Sequence, residues 1–184
     1  YVTRDVDSYF AKALKFFGKS YLTLTMITPD TVIGEVKTFD MKPYDVEWLE
    51  SRVALSNIEI RGDTKTPDTL GMTPAIPVLL RSASNAGFVN ADPDPDGYRR
   101  RAHLLMKYNG RYYGQHIFVP LLEKFGNPKI IVTNSSITLK DVDNNGGRHD
   151  IRIPRTEDGS ILIEWPKKKF TDYNTITAWK LIAY

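Results

Sequence analysis

The sequence predicts an α/β or α+β fold: a mixed β-sheet flanked by helices, three-layer and sandwich-like, with β-hairpins in its C-terminal half. Three observations carry this. Apolar residues recur at helical spacing in short, separate segments, among them Val6, Tyr9, Phe10, Ala13, Leu14 and Phe17. Between those segments lie short runs rich in β-branched and aromatic residues, bounded by glycine, proline, asparagine and aspartate. Asn109-Gly110 stands between an apolar and an aromatic run, and this dipeptide readily supplies the two positive φ angles of a type I′ hairpin.

Taken in order, Thr3 or Asp5 can cap a first helix that buries its apolar stripe and stops at Gly18. Tyr21–Ile27 follows as a strand, with a short strand possible over Thr31–Lys37. Pro43–Val53 reads as a helix burying Tyr44, Trp48 and Leu49, and Ile58–Ile60 as a brief strand. Arg61–Thr73 carries Gly62, Asp63, Thr66, Pro67, Asp68 and Gly71 and reads as a mobile loop. Thr73 then caps a helix with Pro74 at its first position and Ile76, Leu79, Leu80 and Ala83 on its apolar face. Phe88–Asn90 is a strand. A helix from about Ile117, with Leu121, Leu122 and Phe125, ends at Gly126-Asn127-Pro128. Strands are expected at Lys129–Thr133, Ser136–Lys140, Asp150–Ile153 and Ser160–Trp165. Thr171 or Asp172 caps a last helix bearing Tyr173, Ile176, Trp179 and Ile182.

The 184 residues are enough to bury a full core and fit one domain, 1–184. Hydrophobic content of 41% and charged content of 26% are those of an ordinary globular chain. The net charge of +3, from 25 basic and 22 acidic residues, is too small and too well mixed to indicate a nucleic-acid partner. The absence of cysteine removes disulfides, thiolate metal sites and cysteine nucleophiles together. No stretch approaches the ~20 apolar residues of a membrane span, and no signal peptide opens the chain.

The chain is organised around Gly87–Tyr113. Here Asp92-Pro93-Asp94-Pro95-Asp96-Gly97 forms a turn stiffened by two prolines and closed by a glycine, and three arginines follow it. Counting by two from Leu104 places Tyr98, Arg100, Ala102, Met106 and Tyr108 on one strand face, and Arg99, Arg101, His103, Leu105 and Lys107 on the other. The first face is the more apolar, so Arg100 is expected to point inward and to bond Asp94, Asp96 or the backbone of the turn.

The same stretch carries a family resemblance. Gly87 and Asn90, then Asp94, Asp96 and Gly97, then Arg100 and Arg101, then Tyr108-Asn109-Gly110, resemble the type-two CHASE domain. Ile151-Arg152-Ile153-Pro154, Asp158-Gly159-Ser160, Leu162-Ile163 and Trp165 resemble that family's later strand–turn–strand, and Tyr173-Asn174-Thr175-Ile176 its following helix. The resemblance implies an extracytoplasmic sensor module of a membrane-anchored protein, with a cytoplasmic output domain, most often a nucleotide cyclase and otherwise a kinase. It also implies family segments beyond both ends of this chain. Self-association is expected, through an exposed edge at Tyr21–Ile27.

Expected ligand contacts are Asn90, Arg100, Asp68 and Thr66, for a small molecule or periplasmic ligand that the sequence does not identify. Gly87, Asp94, Asp96, Gly97, Asn109 and Gly110 are expected to be structural. Asp92, Asp94, Asp96 and Gly97 copy four positions of a calcium loop, but His103 stands where the bidentate glutamate belongs. Asp141, Asp143, Asn145 and Gly146 repeat the pattern with Arg152 at that place. The expectation is therefore no metal, with calcium the weak candidate. His103, His116 and His149 lack metal spacing, and no nucleophile elbow, phosphate-binding loop or His-Glu-x-x-His stretch is present. No catalytic residue and no cofactor is expected. Lys167-Lys168-Lys169 reads as a solvated turn, or a contact for anionic lipid. The two rival functions are a cell-surface or periplasmic binding module without an output domain, calcium-dependent or not, and a small hydrolase.

Overall fold

The computed structural model describes residues 5–29, 43–143, 147–165, 167 and 172. The possible strand at Thr31–Lys37, the helix over Tyr173–Ile182, and Asn145, Gly146, Lys168 and Lys169 lie outside the described residues.

The first helix, α1 (Val6–Phe17), begins where Asp5 accepts a hydrogen bond from the Ser8 N–H and ends at Gly18, whose φ of 68° is left-handed. Its stripe does not enter the core: of its residues only Ala11 is buried. Strand β1 (Tyr21–Ile27) follows, then α2 (Pro43–Arg52), which packs Leu49 into the core, and β2 (Ile58–Ile60).

Two predicted elements change here. Gly71–Pro74, expected as loop end and helix cap, is a strand, β3, paired antiparallel with β1 from Leu24↔Pro74 to Ile27↔Gly71. Pairing with β1 outweighs the local helix-start signal. The helix is confined to one turn, α3 (Pro77–Leu80), and the proline that opens it is Pro77, not Pro74. The rest of the expected loop is held down: Lys107 N–H donates to Pro67 O and Thr69 N–H to Lys107 O, both at 2.8 Å.

β4 (Asn85–Phe88) lies parallel to β1, from Tyr21↔Asn85 to Leu24↔Phe88. The first sheet therefore runs β3-β1-β4, and β1 is its middle strand rather than the exposed edge predicted for Tyr21–Ile27. After the acidic turn come β5 (Arg101–Ala102), β6 (Leu105–Tyr108) and β7 (Arg111–Gly114). β6 and β7 form the predicted hairpin, with Asn109 at φ 49° and Gly110 at φ 73°. α4 (Phe118–Lys124) follows, and β8 (Ile130–Val132), β9 (Ser136–Asp143) and β10 (Arg148–Pro154) join β2 in a second sheet ordered β10-β9-β8-β2. β8 pairs parallel with β2, and β9 antiparallel with both β8 and β10. Of the expected Ser160–Trp165 strand only β11 (Ile161–Leu162) is regular, paired with β5. The class is α+β, with parallel and antiparallel pairs.

Two apolar clusters result. One gathers Leu24, Met26, Leu49, Val53, Met72, Leu80, Phe88, Met106 and Tyr113, from the first sheet, the helices α2 and α3 and the β6–β7 hairpin. The other gathers Leu104, Leu105, Phe118, Leu122, Ile130, Val132, Ile137, Leu139 and Val142, mostly from the second. Leu104, Leu105 and Met106 are consecutive and all buried. The chain passes between the clusters at this point, giving Leu105 to one and Met106 to the other. A two-sided strand has no wet face, so alternation cannot assign one.

Candidate functional site

The acidic turn is built from within. Gly97 adopts φ 82°, its N–H donates to Asp94 O at 2.8 Å, and the Asp94 N–H donates to Tyr98 O at 2.7 Å. Pro93 and Pro95 limit the alternatives. Arg100 bonds this turn as expected: its Nη1 reaches the Asp96 carboxylate at 2.9 and 2.7 Å, and its N–H donates to Asp94 Oδ2 at 3.2 Å. The expected inward direction is wrong. The Arg100 side chain is 50% exposed, and its guanidinium stacks over the Tyr98 ring at 5.0 Å. The strand count fails because β5 is only two residues long and breaks at His103-Leu104, so no continuous pleat links Arg100 to Leu104. The Arg100 guanidinium hydrogen-bonded to Asp96 holds that carboxyl below its usual range.

Behind the turn lies a cleft of about 240 Å³, lined by Asn90 to Pro95, Arg101, Ala102, His103, Asp158 and Ser160. One wall follows β4 of the first sheet. The other follows β10 of the second, so the cleft joins the two halves of the fold. Each wall is fixed by polar contacts. Asn90 continues the β4–β1 pairing with its side chain: Oδ1 accepts from Met26 N–H and Nδ2 donates to Met26 O, both at 2.8 Å. The three arginines are backed by the last strand, with Ile163 N–H donating to Arg100 O at 2.8 Å and Trp165 Nε1 to Arg99 O at 3.0 Å.

Asp158 and Arg155 organise the other wall. Burial raises the Asp158 pKa, but hydrogen bonds from the Thr156 and Ser160 hydroxyls and the Ser160 N–H outweigh it and hold the carboxylate well below its usual range. Its Oδ2 faces Arg101 Nη1 at 3.4 Å. Arg155 donates to Gly159 O at 2.8 Å, Thr133 O at 2.9 Å and Thr66 Oγ1 at 3.4 Å. Gly159, at φ 82°, is required there: a Cβ would lie 2.5 Å from Arg155 Nη2 and 2.6 Å from Lys65 O. Sequence reasoning passed over Arg155 and Asp158 as functional residues. Their signal was Arg155-x-x-Asp158-Gly159-Ser160, readable as a turn and not as a wall of a cleft.

His103 stands between these walls. Burial lowers its pKa, and the nearby Asp158 and Asp92 carboxylates oppose that while Arg155 adds to it. Its Nδ1 is buried without a hydrogen-bond partner. Asp92 is exposed at the rim.

The four residues expected to contact ligand are not brought together. Asn90 lines the cleft, with its amide engaged by Met26. Arg100 faces outward from the turn that forms the rim. Thr66 meets Arg155 behind the wall, and Asp68 pairs with Lys107 Nζ at 3.3 Å. Gly87 has a structural reason: a Cβ there would stand 2.6 Å from His116 Cα. Among the described residues no group of three or more His, Cys, Asp or Glu is placed to hold a metal ion. Asp94 faces Arg100 and Arg101, and Asp141 pairs with Arg148 at 2.9 Å. Among the described residues no helix is long and apolar enough to cross a membrane.

Comparison with curated proteins and with solved structures yields no match. Comparison with family models yields one over residues 2–183, the CHASE2 domain. Domains of that family are extracytoplasmic sensory modules and not catalytic ones. With nearly its whole length matched, the acidic turn, arginine run and Asn-Gly hairpin included, this chain belongs to the CHASE2 domain family.

Proposed function

We propose that this chain is the ligand-sensing ectodomain of a transmembrane signalling receptor, and that the cleft behind the acidic turn is where it senses. The observation that carries the reading is the composition of the cleft walls: Asn90 and the acidic turn that follow β4 on one side, Asp158 and Ser160 of the turn between β10 and β11 on the other. A ligand bridging them acts on the relative placement of the two apolar clusters, which is what a sensor must convert into output. The volume is below the roughly 300–1,000 Å³ of drug-sized sites. It suits a small polar molecule that offers an anionic group to Arg101 and a donor to Asp92. The output reading is a cytoplasmic nucleotide cyclase, by family habit.

Thermal shifts of the domain across small polar metabolites and divalent ions, calcium included, test the site. Stabilisation by one of them should be lost in Asp92→Asn and Arg101→Gln, which alter exposed groups and leave the fold intact. Stabilisation unchanged in both variants excludes this cleft. The output half is tested by the complete reading frame and by cyclic nucleotide production in membranes carrying it. A frame with neither membrane spans nor an output domain would favour the freestanding binding module.

A further inference from the structure

We propose a second ligand site, a cleft between the C-terminal ends of α2 and α4 that takes a small polyhydroxy carboxylic acid. It stands apart from the cleft behind the acidic turn and does not depend on it.

The cleft has a volume of about 220 Å³. That is below the roughly 300–1,000 Å³ of drug-sized sites and suits a molecule the size of one sugar. Its floor is apolar and comes from both halves of the fold. Val53, just past α2, belongs to the first apolar cluster, and Leu122 of α4 and Ile130 of β8 belong to the second. An occupant therefore lies against both clusters at once.

Above the floor stand three asparagines that arrive from separate elements: Asn57 just before β2, Asn85 at the start of β4 and Asn127 after α4. The fold uses only part of each. Asn57 Nδ2 donates to Asn127 O at 3.1 Å, which braces one wall and leaves Oδ1 as an acceptor. Asn85 Oδ1 accepts from the Ala86 N–H at 2.8 Å, which leaves Nδ2 as a donor. Asn127 adopts φ 53° and donates its N–H to Leu122 O at 2.8 Å, closing the helix. The helix end calls for a left-handed residue there but not for an amide, and the amide has no hydrogen bond among the described residues. Unused donors and acceptors side by side over an apolar floor match hydroxyl groups, which need both.

One charge lines the cleft. Arg52, the last residue of α2, is exposed and holds its guanidinium over the Trp48 ring at 5.8 Å. Among the described residues it pairs with no carboxylate, and no carboxylate lines the cleft. The charges next to the lining residues are engaged elsewhere: Glu123 accepts from the Tyr21 hydroxyl, and Lys129 pairs with Glu59 at 2.5 Å. A single guanidinium offers a bidentate seat to one carboxylate. Both helices end at the cleft, and C-terminal ends disfavour denser negative charge, so phosphate is the weaker fit. The ligand's carboxylate lies on Arg52 and its hydroxyls reach the asparagines.

The domain is titrated by calorimetry with gluconate, glucuronate and galacturonate, and with glucose and inorganic phosphate for comparison. At least one of the acids is expected to bind, about tenfold or more tighter than glucose or phosphate. Arg52→Gln removes the charge from an exposed side chain, and Asn127→Gly keeps the left-handed backbone without the amide. Each should weaken that binding about tenfold or more while the melting temperature without ligand stays the same. Binding of none of the three acids at about 10 mM overturns the proposal. Binding that survives both substitutions overturns the site. Glucose or phosphate bound as tightly as the acids overturns the ligand class.

Discussion

Asn90 and Met26 are joined like two paired strand residues, although Asn90 lies beyond the end of β4: the side-chain amide supplies both the acceptor and the donor, at 2.8 Å each. The parallel pairing of β4 and β1 is thereby extended to Met26, itself buried in the first cluster. Asn90→Asp keeps the size but removes the donor and sets a carboxylate beside a carbonyl. It should cost about 1–3 kcal/mol in urea melts. A loss below a few tenths would show that the amide does not carry the pairing.

Gly87 and His116 set a close backbone approach between β4 and the segment after β7. His116 N–H donates to Phe88 O at 2.8 Å, which brings the residues after β7 against β4. Gly87→Ala puts a methyl 2.6 Å from His116 Cα and 3.0 Å from Gly114 O, both backbone and unable to swing aside. A loss of about 1–3 kcal/mol or more is expected. An Ala variant as stable as wild type would require β4 and the 114–116 segment to separate freely.

Arg100 and Arg155 should behave oppositely to their charge contacts. Arg100 has two carboxylate partners but lies in solvent, where screening leaves such pairs little net worth; Arg100→Ala should match Arg99→Ala in its small effect. Arg155 bonds three neutral oxygens at the half-buried join of β10, the 64–66 loop and Thr133, and burial lowers its pKa. Arg155→Ala removes the guanidinium donor from Gly159 O and Thr133 O and should cost about 1–3 kcal/mol. Equal losses for Arg100→Ala and Arg155→Ala would contradict this ranking.

Acid should act on the cleft in two stages. The folded pKa of His103 is lowered, so the unfolded chain binds its proton first. Stability from this group is full above its unfolded value near 6.5 and declines as pH falls below it. Asp158 is also lowered, so its contribution is full above the unfolded carboxylate value and declines only in stronger acid. His103→Asn should flatten the stability profile as pH falls below about 6.5, and Asp158→Asn below about pH 4. A His103→Asn profile parallel to wild type down to pH 5 would mean that the imidazole is solvated in the folded state.

Much of this was legible from residue order alone. The Asn109-Gly110 hairpin, the Asp5-capped helix ending at Gly18, the helix at 43–52 and the bond from Arg100 to the acidic turn all arise from neighbours within a few residues. Backbone conformation and short-range hydrogen bonds decide them, and both are written in local residue types. Three other features required partners far along the chain. Gly71–Pro74 is a strand because β1 is available to it, against its own helix-start chemistry. Much of the apolar stripe of α1 is exposed because, among the described residues, the helix packs on α3 through the face that carries Ser8, Ala11 and Leu14. Leu105 is buried because a second cluster covers the face that alternation left wet. The cleft belongs with these: Asn90, His103 and Asp158 meet only when the segments after β4, β5 and β10 come together, and no spacing in the sequence records that distance.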